Sequence, residues 1–310
     1  MSVSSKWLRV ALVSSLVFLA ACAGGRAEQR QTAERVFAQA SKTVVSVRLV
    51  VKIAFGGRDQ EQKSEVTGTM IDPTGLTVLP AVAVDPSTMV RSMMRSRSSD
   101  FKLETSVTEA AILLPDGTEV DADVILKDAD LDIAFVRPRD QSKPFDFVAL
   151  NRGVKPLTVL DEVIAAGHYG RSLSRSPWVQ ETQVYSIIRG PRTYAMCGEI
   201  SDALGTVGYN DQGQPVGVFV THVSHDTEER SSMMSMMGGS SRSGVATILR
   251  PIEDVLEIAD QAKKMKNPEP KAKSDDDAKS KEDAKRDAKK DEPKKDEPKK
   301  DDAVPSKDPK

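Results

Sequence analysis

Between residues 40 and 250 the apolar positions come in short β-branched runs broken by Gly, Pro and Asp turns, a pattern that predicts strands and hairpins. Thr43 to Ile53 is one such run. Val66 to Pro80 reads as a strand, a Pro73-Thr74-Gly75 turn and a second strand. Ala110 to Leu114, the turn at Pro115-Asp116-Gly117, and Glu119 to Lys127 form a further hairpin leading into Leu131 to Val136. The second half repeats the theme in Glu162 to Ala166, Thr182 to Arg189, Leu204 to Asn210, a turn at Asp211-Gln212-Gly213, Val216 to Val223 and Val245 to Leu249. Only two stretches have a helical period. Gln29 to Gln39 puts Ala33, Val36, Phe37 and Ala40 on one face, and Pro251 to Lys264 offers Ile252, Val255, Leu256 and Ile258 behind a proline in its first turn. So many short strands with tight turns predict an all-β sandwich or a pair of barrels. Two Met/Ser/Arg inserts, 89–99 and 231–243, have neither period and read as surface loops.

The ends change the picture. Lys6 and Arg9 precede an apolar run from Val10 to Ala20, which is a secretory signal in pattern. That run is about half the roughly 20 residues a membrane-spanning helix needs. It closes in Leu19-Ala20-Ala21-Cys22, which resembles the lipobox of bacterial lipoproteins. The resemblance implies cleavage before Cys22 and acylation of that residue; two or more acyl chains anchor stably where one binds marginally. Ala23 after the cysteine implies, by the same resemblance, outer-membrane sorting, so the expected location is the cell envelope, facing the periplasm or the cell surface. At the other end, Lys263 to Lys310 holds 17 basic and 14 acidic residues, six prolines and the repeated Asp-Glu-Pro-Lys-Lys at 291–295 and 296–300. With no apolar face to bury, it predicts a disordered polyampholyte. Its Lys pairs suit a cell-wall or lipid surface; a solvated spacer is the plainer reading.

A formal charge of -2 and 5% aromatic residues argue against a nucleic-acid partner. Two cysteines exclude a disulfide-stapled miniprotein and a Cys-based zinc site. There is no phosphate-binding glycine loop, and no cofactor is expected. His222, His225 and Asp226 form a His-x-x-His-Asp cluster, which without converging ligands reads as surface loop histidines rather than a metal site.

Six segments in order resemble the protease domain of bacterial trypsin-like, HtrA/Deg-type serine proteases: Val44 to Val47, Thr67 to Gly75, Leu114 to Gly117 with Val124 to Asp128, Leu131 to Ala134, Asp161 to Gly170, and Val184 to Arg189. The resemblance spans about residues 40 to 260. It implies two six-stranded antiparallel barrels, split near Arg139 to Val148, with a C-terminal helix. The expected organisation is therefore a signal peptide 1–21, a lipidated N-terminus and short helix 22–39, a double-barrel domain 40–262 (barrels about 40–140 and 148–250, closing helix 251–264), and the charged tail 263–310.

The family's chemistry needs His, Asp and Ser in contact across two barrels. Asp132 stands at the Asp position. The His position holds Val82, and no histidine precedes His168. Counting back from the turn at Asp211-Gln212-Gly213 puts Leu204 at the Ser position, with Gly205 kept and Thr206 where a second glycine belongs. Without an imidazole in the first barrel nothing of that type takes up a nucleophile's proton. The sequence thus predicts no catalytic residues and a pseudoprotease, an inactive scaffold binding peptide or protein in the envelope. Ser201 and Cys197 are the rescue candidates for an active serine or cysteine endopeptidase. An Asp132 buried without its histidine needs another donor, expected to be a backbone amide or a hydroxyl.

Overall fold

The computed structural model describes residues 27–55, 58–94, 103–190, 192–198, 200–223 and 245–268. Helix α1 (27–43) buries Thr32, Val36, Ala40 and Thr43, one residue per turn on one face, and runs directly into the first strand. That face contains two of the four apolar positions expected; Ala33 and Phe37 are half-buried beside it.

The first barrel comprises β1 (Val44–Phe55), β2 (Arg58–Met70), β3 (Thr77–Pro80), β4 (Leu103–Leu113), β5 (Glu119–Asp128) and β6 (Ile133–Pro138). They pair antiparallel in the closed order β1-β2-β3-β6-β5-β4. The second comprises β7 (Glu162–His168), β8 (Pro177–Ile188), β9 (Tyr194–Cys197), β10 (Val207–Tyr209), β11 (Pro215–Val223) and β12 (Val245–Pro251), closed as β7-β8-β9-β12-β11-β10. Strand for strand, the second order is the first shifted by six. Closure leaves neither sheet with an unpaired edge.

Local chemistry explains the turns. Asp72 Oδ1 accepts from the Thr74 amide at 2.9 Å, the Thr74 hydroxyl at 2.6 Å and the Leu76 amide at 3.1 Å, while Gly75 takes a left-handed φ of 79°. This fixes the hairpin between β2 and β3 where the Pro-Thr-Gly signal put it. Along β1, Val45, Val47, Leu49 and Val51 point into the first barrel, whereas Val44 joins a core shared between the barrels. That shared core takes Leu131, Ile133 and Phe135 from one barrel, Val218, Val220 and Ile248 from the other, Val36 from α1, and Val255, Ile258 and Ala259 from α4 (Ile252–Lys264). Both helices thus close the seam between the barrels.

Three expectations need correction. The insert 89–99 is not all loop: α3 (Ser87–Met94) covers its first part, after the short α2 (Ala81–Val84). The cause is an Asp-Pro helix start, in which Asp85 Oδ1 accepts the Ser87 amide at 3.0 Å and the Val90 amide bonds the Pro86 carbonyl at 3.0 Å. The short strand β9 was not foreseen, its four residues being too few to show a period. The tail does not begin at Lys263. The body extends to Pro268, and Asn267 accepts from Arg137 Nε at 2.8 Å while donating to Asp123 Oδ2 at 3.1 Å and to the Pro138 carbonyl at 3.2 Å. The insert 231–243, Cys22 and the rest of the tail lie outside the described residues.

Candidate functional site

Between the barrels lies a cleft of about 450 Å³. Its apolar wall includes Val51, Val66, Pro80, Val82, Ala83 and Met89 from the first barrel and Leu204 from the second; Glu65, His168, Asp202 and Thr221 add polar groups. Val82 and Leu204, expected from the sequence resemblance to stand at the base and nucleophile positions, are both half-buried and line this one cavity.

The backbone keeps Asp132 close to Val82. Pro80 pairs with Ile133, and the Ala81 amide donates to the Asp132 carbonyl at 2.9 Å, so α2 and its Val82 hang from the Asp132 turn. Asp132 itself has φ 59°, a left-handed conformation that Asp tolerates better than most residues. Its carboxylate turns to the other barrel. His222 Nδ1, on β11, donates to Asp132 Oδ2 at 2.6 Å, and Arg250 Nη2, on β12, donates to the same oxygen at 3.1 Å. Arg250 Nε also bonds the Leu131 carbonyl at 3.2 Å, and its guanidinium lies 5.5 Å from the centre of the Tyr194 ring. The His222 and Tyr194 rings stack, tilted, at 5.2 Å. The donors to Asp132 are therefore an imidazole and a guanidinium rather than an amide or hydroxyl. Both come from strands of the second barrel, which is why reading along the first barrel missed them.

A general base presents its second ring nitrogen to the reacting proton, but His222 Nε2 is shut off from solvent. Near Leu204, the amides of Ala203, Gly205 and Thr206 donate to the carbonyls of Ile200 at 3.1 Å, Phe219 at 2.8 Å and Ala203 at 2.8 Å. The Thr206 hydroxyl also bonds the Ala203 carbonyl at 2.7 Å.

Gly205 packs directly against the first barrel's backbone. A Cβ there would stand 1.9 Å from the Thr67 carbonyl oxygen, and its φ is 82°. The Gly205 carbonyl in turn accepts the buried Thr69 hydroxyl at 2.8 Å. Glycine's lack of a side chain is thus required for the barrels to meet.

Cys197 ends β9, buried in the second barrel's core, and that burial pushes its thiol up to about 12. A thiol so held is a small hydrophobe, not a nucleophile. Ser201 opens the 3₁₀ turn Ser201–Ala203 that leads to Leu204. Of the His-x-x-His-Asp cluster, His222 is a barrel residue rather than a loop histidine, while His225 and Asp226 lie outside the described residues; no three His, Cys, Asp or Glu side chains converge on a metal-sized space among those described. On the cleft rim, burial opposes the charge of Glu65, yet Arg175, bonding both its oxygens at 2.9 and 3.0 Å, outweighs this and holds the carboxyl below its ordinary value. Burial lowers the neighbouring His168, whose Nδ1 meets the Tyr169 carbonyl at 3.2 Å, so the cleft carries a neutral imidazole.

No family model matches the chain, and no curated protein matches it.

Proposed function

We propose that this chain is a lipid-anchored lipoprotein of the cell envelope whose trypsin-like double barrel is a pseudoprotease, keeping the interbarrel cleft to hold a peptide or protein segment without cutting it. The observation that carries the reading is the pairing of Val82 with Leu204 in one cleft beside an Asp132 committed to His222 and Arg250. Losing one triad member in an active enzyme typically leaves a rate lower by about 10⁴; here base and nucleophile are both replaced by aliphatic side chains. What remains suits binding: an apolar wall able to take one or two aliphatic side chains, with Asp202 at the rim favouring a segment with a basic residue.

The test is photo-crosslinking of the full chain to a library of extended peptides, read by tandem mass spectrometry. Crosslinks should map to the cleft, and Leu204→Arg or Val82→Glu should reduce capture at least about tenfold, since an unpaired charge then faces the apolar wall. Unchanged capture by both variants would reject the cleft as the binding site. The competing reading, an endopeptidase working through Ser201 or Cys197, predicts specific labelling of one of them by a fluorophosphonate or by iodoacetamide.

A further inference from the structure

We infer that the turn Thr158–Asp161 is a membrane-contacting tip, which seats the face of the second barrel around it on a zwitterionic bilayer; this rests on the reading of Cys22 as the lipid-bearing residue. The Asp161 amide bonds the Thr158 carbonyl at 3.1 Å, and Asp161 Oδ2 accepts the Thr158 amide at 2.7 Å, so Val159 and Leu160 occupy the two central positions of a β-turn. Leu160 has φ 76°, the conformation that glycine or asparagine normally supplies at the third position of such a turn. It is nonetheless 67% exposed, and Val159 51%. Ordinary turn chemistry would place small or polar residues here.

The strained backbone is pinned from both sides. The Leu160 amide donates to the Val184 carbonyl at 2.8 Å, and Gln183 Nε2 donates to the Leu160 carbonyl at 3.0 Å. Tyr185, next to Val184, is a further large apolar ring left 48% exposed. Strain that is held in place, and that offers apolar side chains to water, marks a site with a use.

Position decides the occupant. Gln29 Nε2, in the first turn of α1, bonds Glu162 Oε2 at 2.7 Å and Glu181 Oε2 at 3.4 Å. Glu162 is two residues past Leu160, and Glu181 shares the outer face of β8 with Gln183 and Tyr185. The helix that leads back to Cys22 therefore begins on the same face as the tip. Four residues lie between Cys22 and Ala27, five chain steps that span at most about 18 Å even fully extended. Acyl chains on Cys22 would hold this face within that distance of the bilayer. The surrounding charge is acidic, from Asp161, Glu162 and Glu181, so the contact is apolar insertion rather than attraction to anionic lipid. Salt should leave it unchanged, and anionic lipid should weaken it.

The test uses the full chain in phosphatidylcholine vesicles with brominated acyl chains. Leu160→Trp should be quenched at least about threefold more than Asp116→Trp, a control on the turn between β4 and β5. Tyr185→Trp serves if Leu160→Trp fails to fold, with the same expectation. Equal quenching at the tip and at the control overturns the proposal. Intact mass reports separately whether Cys22 carries acyl chains. If it does not, the anchor reading has failed, and the tip is tested by coupling the Cys22 thiol to a maleimide phospholipid while buried Cys197 stays unreacted. Quenching in that tethered chain supports the tip, and its absence rejects it.

Discussion

Removing Arg250 should unlatch the two barrels from each other. This side chain is 1% exposed, bonds Asp132 and the Leu131 carbonyl across the seam, and lies against Tyr194. Breaking a buried ion pair by deleting one partner costs about 3–5 kcal/mol, because the other charge is left behind in a poor solvent. The low end applies to Arg250→Met, since His222 still donates to Asp132 and methionine refills much of the space: about 3 kcal/mol. At 2–4 °C per kcal/mol for a body of this size, the thermal midpoint should fall by about 6–12 °C. Asp132→Leu should cost about 4–5 kcal/mol, since it strands a guanidinium. The double variant should be less destabilised than the sum by about 2–3 kcal/mol. One reason is that Arg250 Nη1 finds no acceptor among the described residues even in the native protein, so the pair is imperfectly satisfied to begin with. Urea and thermal unfolding of the four chains, followed by far-ultraviolet circular dichroism, measure the cycle. Single variants costing under 1 kcal/mol, or costs that simply add, would refute the coupling of the barrels through Arg250 and Asp132.

Gly205→Ala should cost at least about 3 kcal/mol, because the strain of a left-handed residue adds to a Cβ that cannot coexist with the Thr67 carbonyl; calorimetry checks this, and a loss under 1 kcal/mol would mean that the barrels separate freely. Deleting residues 269–310 should leave the unfolding midpoint within a degree or two, whereas deleting from Asn267 should cost about 1–3 kcal/mol by removing the partner of buried Arg137. Because burial lowers the His168 pKa, the unfolded chain binds the proton more readily. Stability should therefore fall as pH drops through about 6.5, and that slope should shrink in His168→Gln, as midpoints measured between pH 5 and 8 will report.

Much of the fold was written in local signals. The Pro-Thr-Gly and Asp-Gln-Gly turns, the strand runs around them and the proline at the start of α4 each act within a few residues, and the barrels follow. Cys197 likewise behaves as the small buried hydrophobe that a lone cysteine usually is. What escaped depends on contacts distant in sequence. His222 and Arg250 reach Asp132 from 90 and 118 residues away, and nothing beside either residue announces that partner. Asn267 resembled the charged tail in composition, yet its amide completes a network around Arg137. The strained Leu160 was invisible because its meaning lies in a backbone angle. The Asp85-Pro86-Ser87 helix start, by contrast, was legible and was hidden by the Met/Ser/Arg composition that follows it.

The central claim is that the cleft holds peptides and does not cleave them. The most direct measurement is mass spectrometry of a complex peptide mixture after prolonged incubation with the full chain, analysing both the peptides retained on the protein and any new termini in solution. The account predicts intact retained peptides that carry aliphatic side chains and a basic residue, lost from Leu204→Arg, with no termini beyond those in the protein-free control. New termini that disappear when Ser201 or Cys197 is replaced by alanine would contradict it.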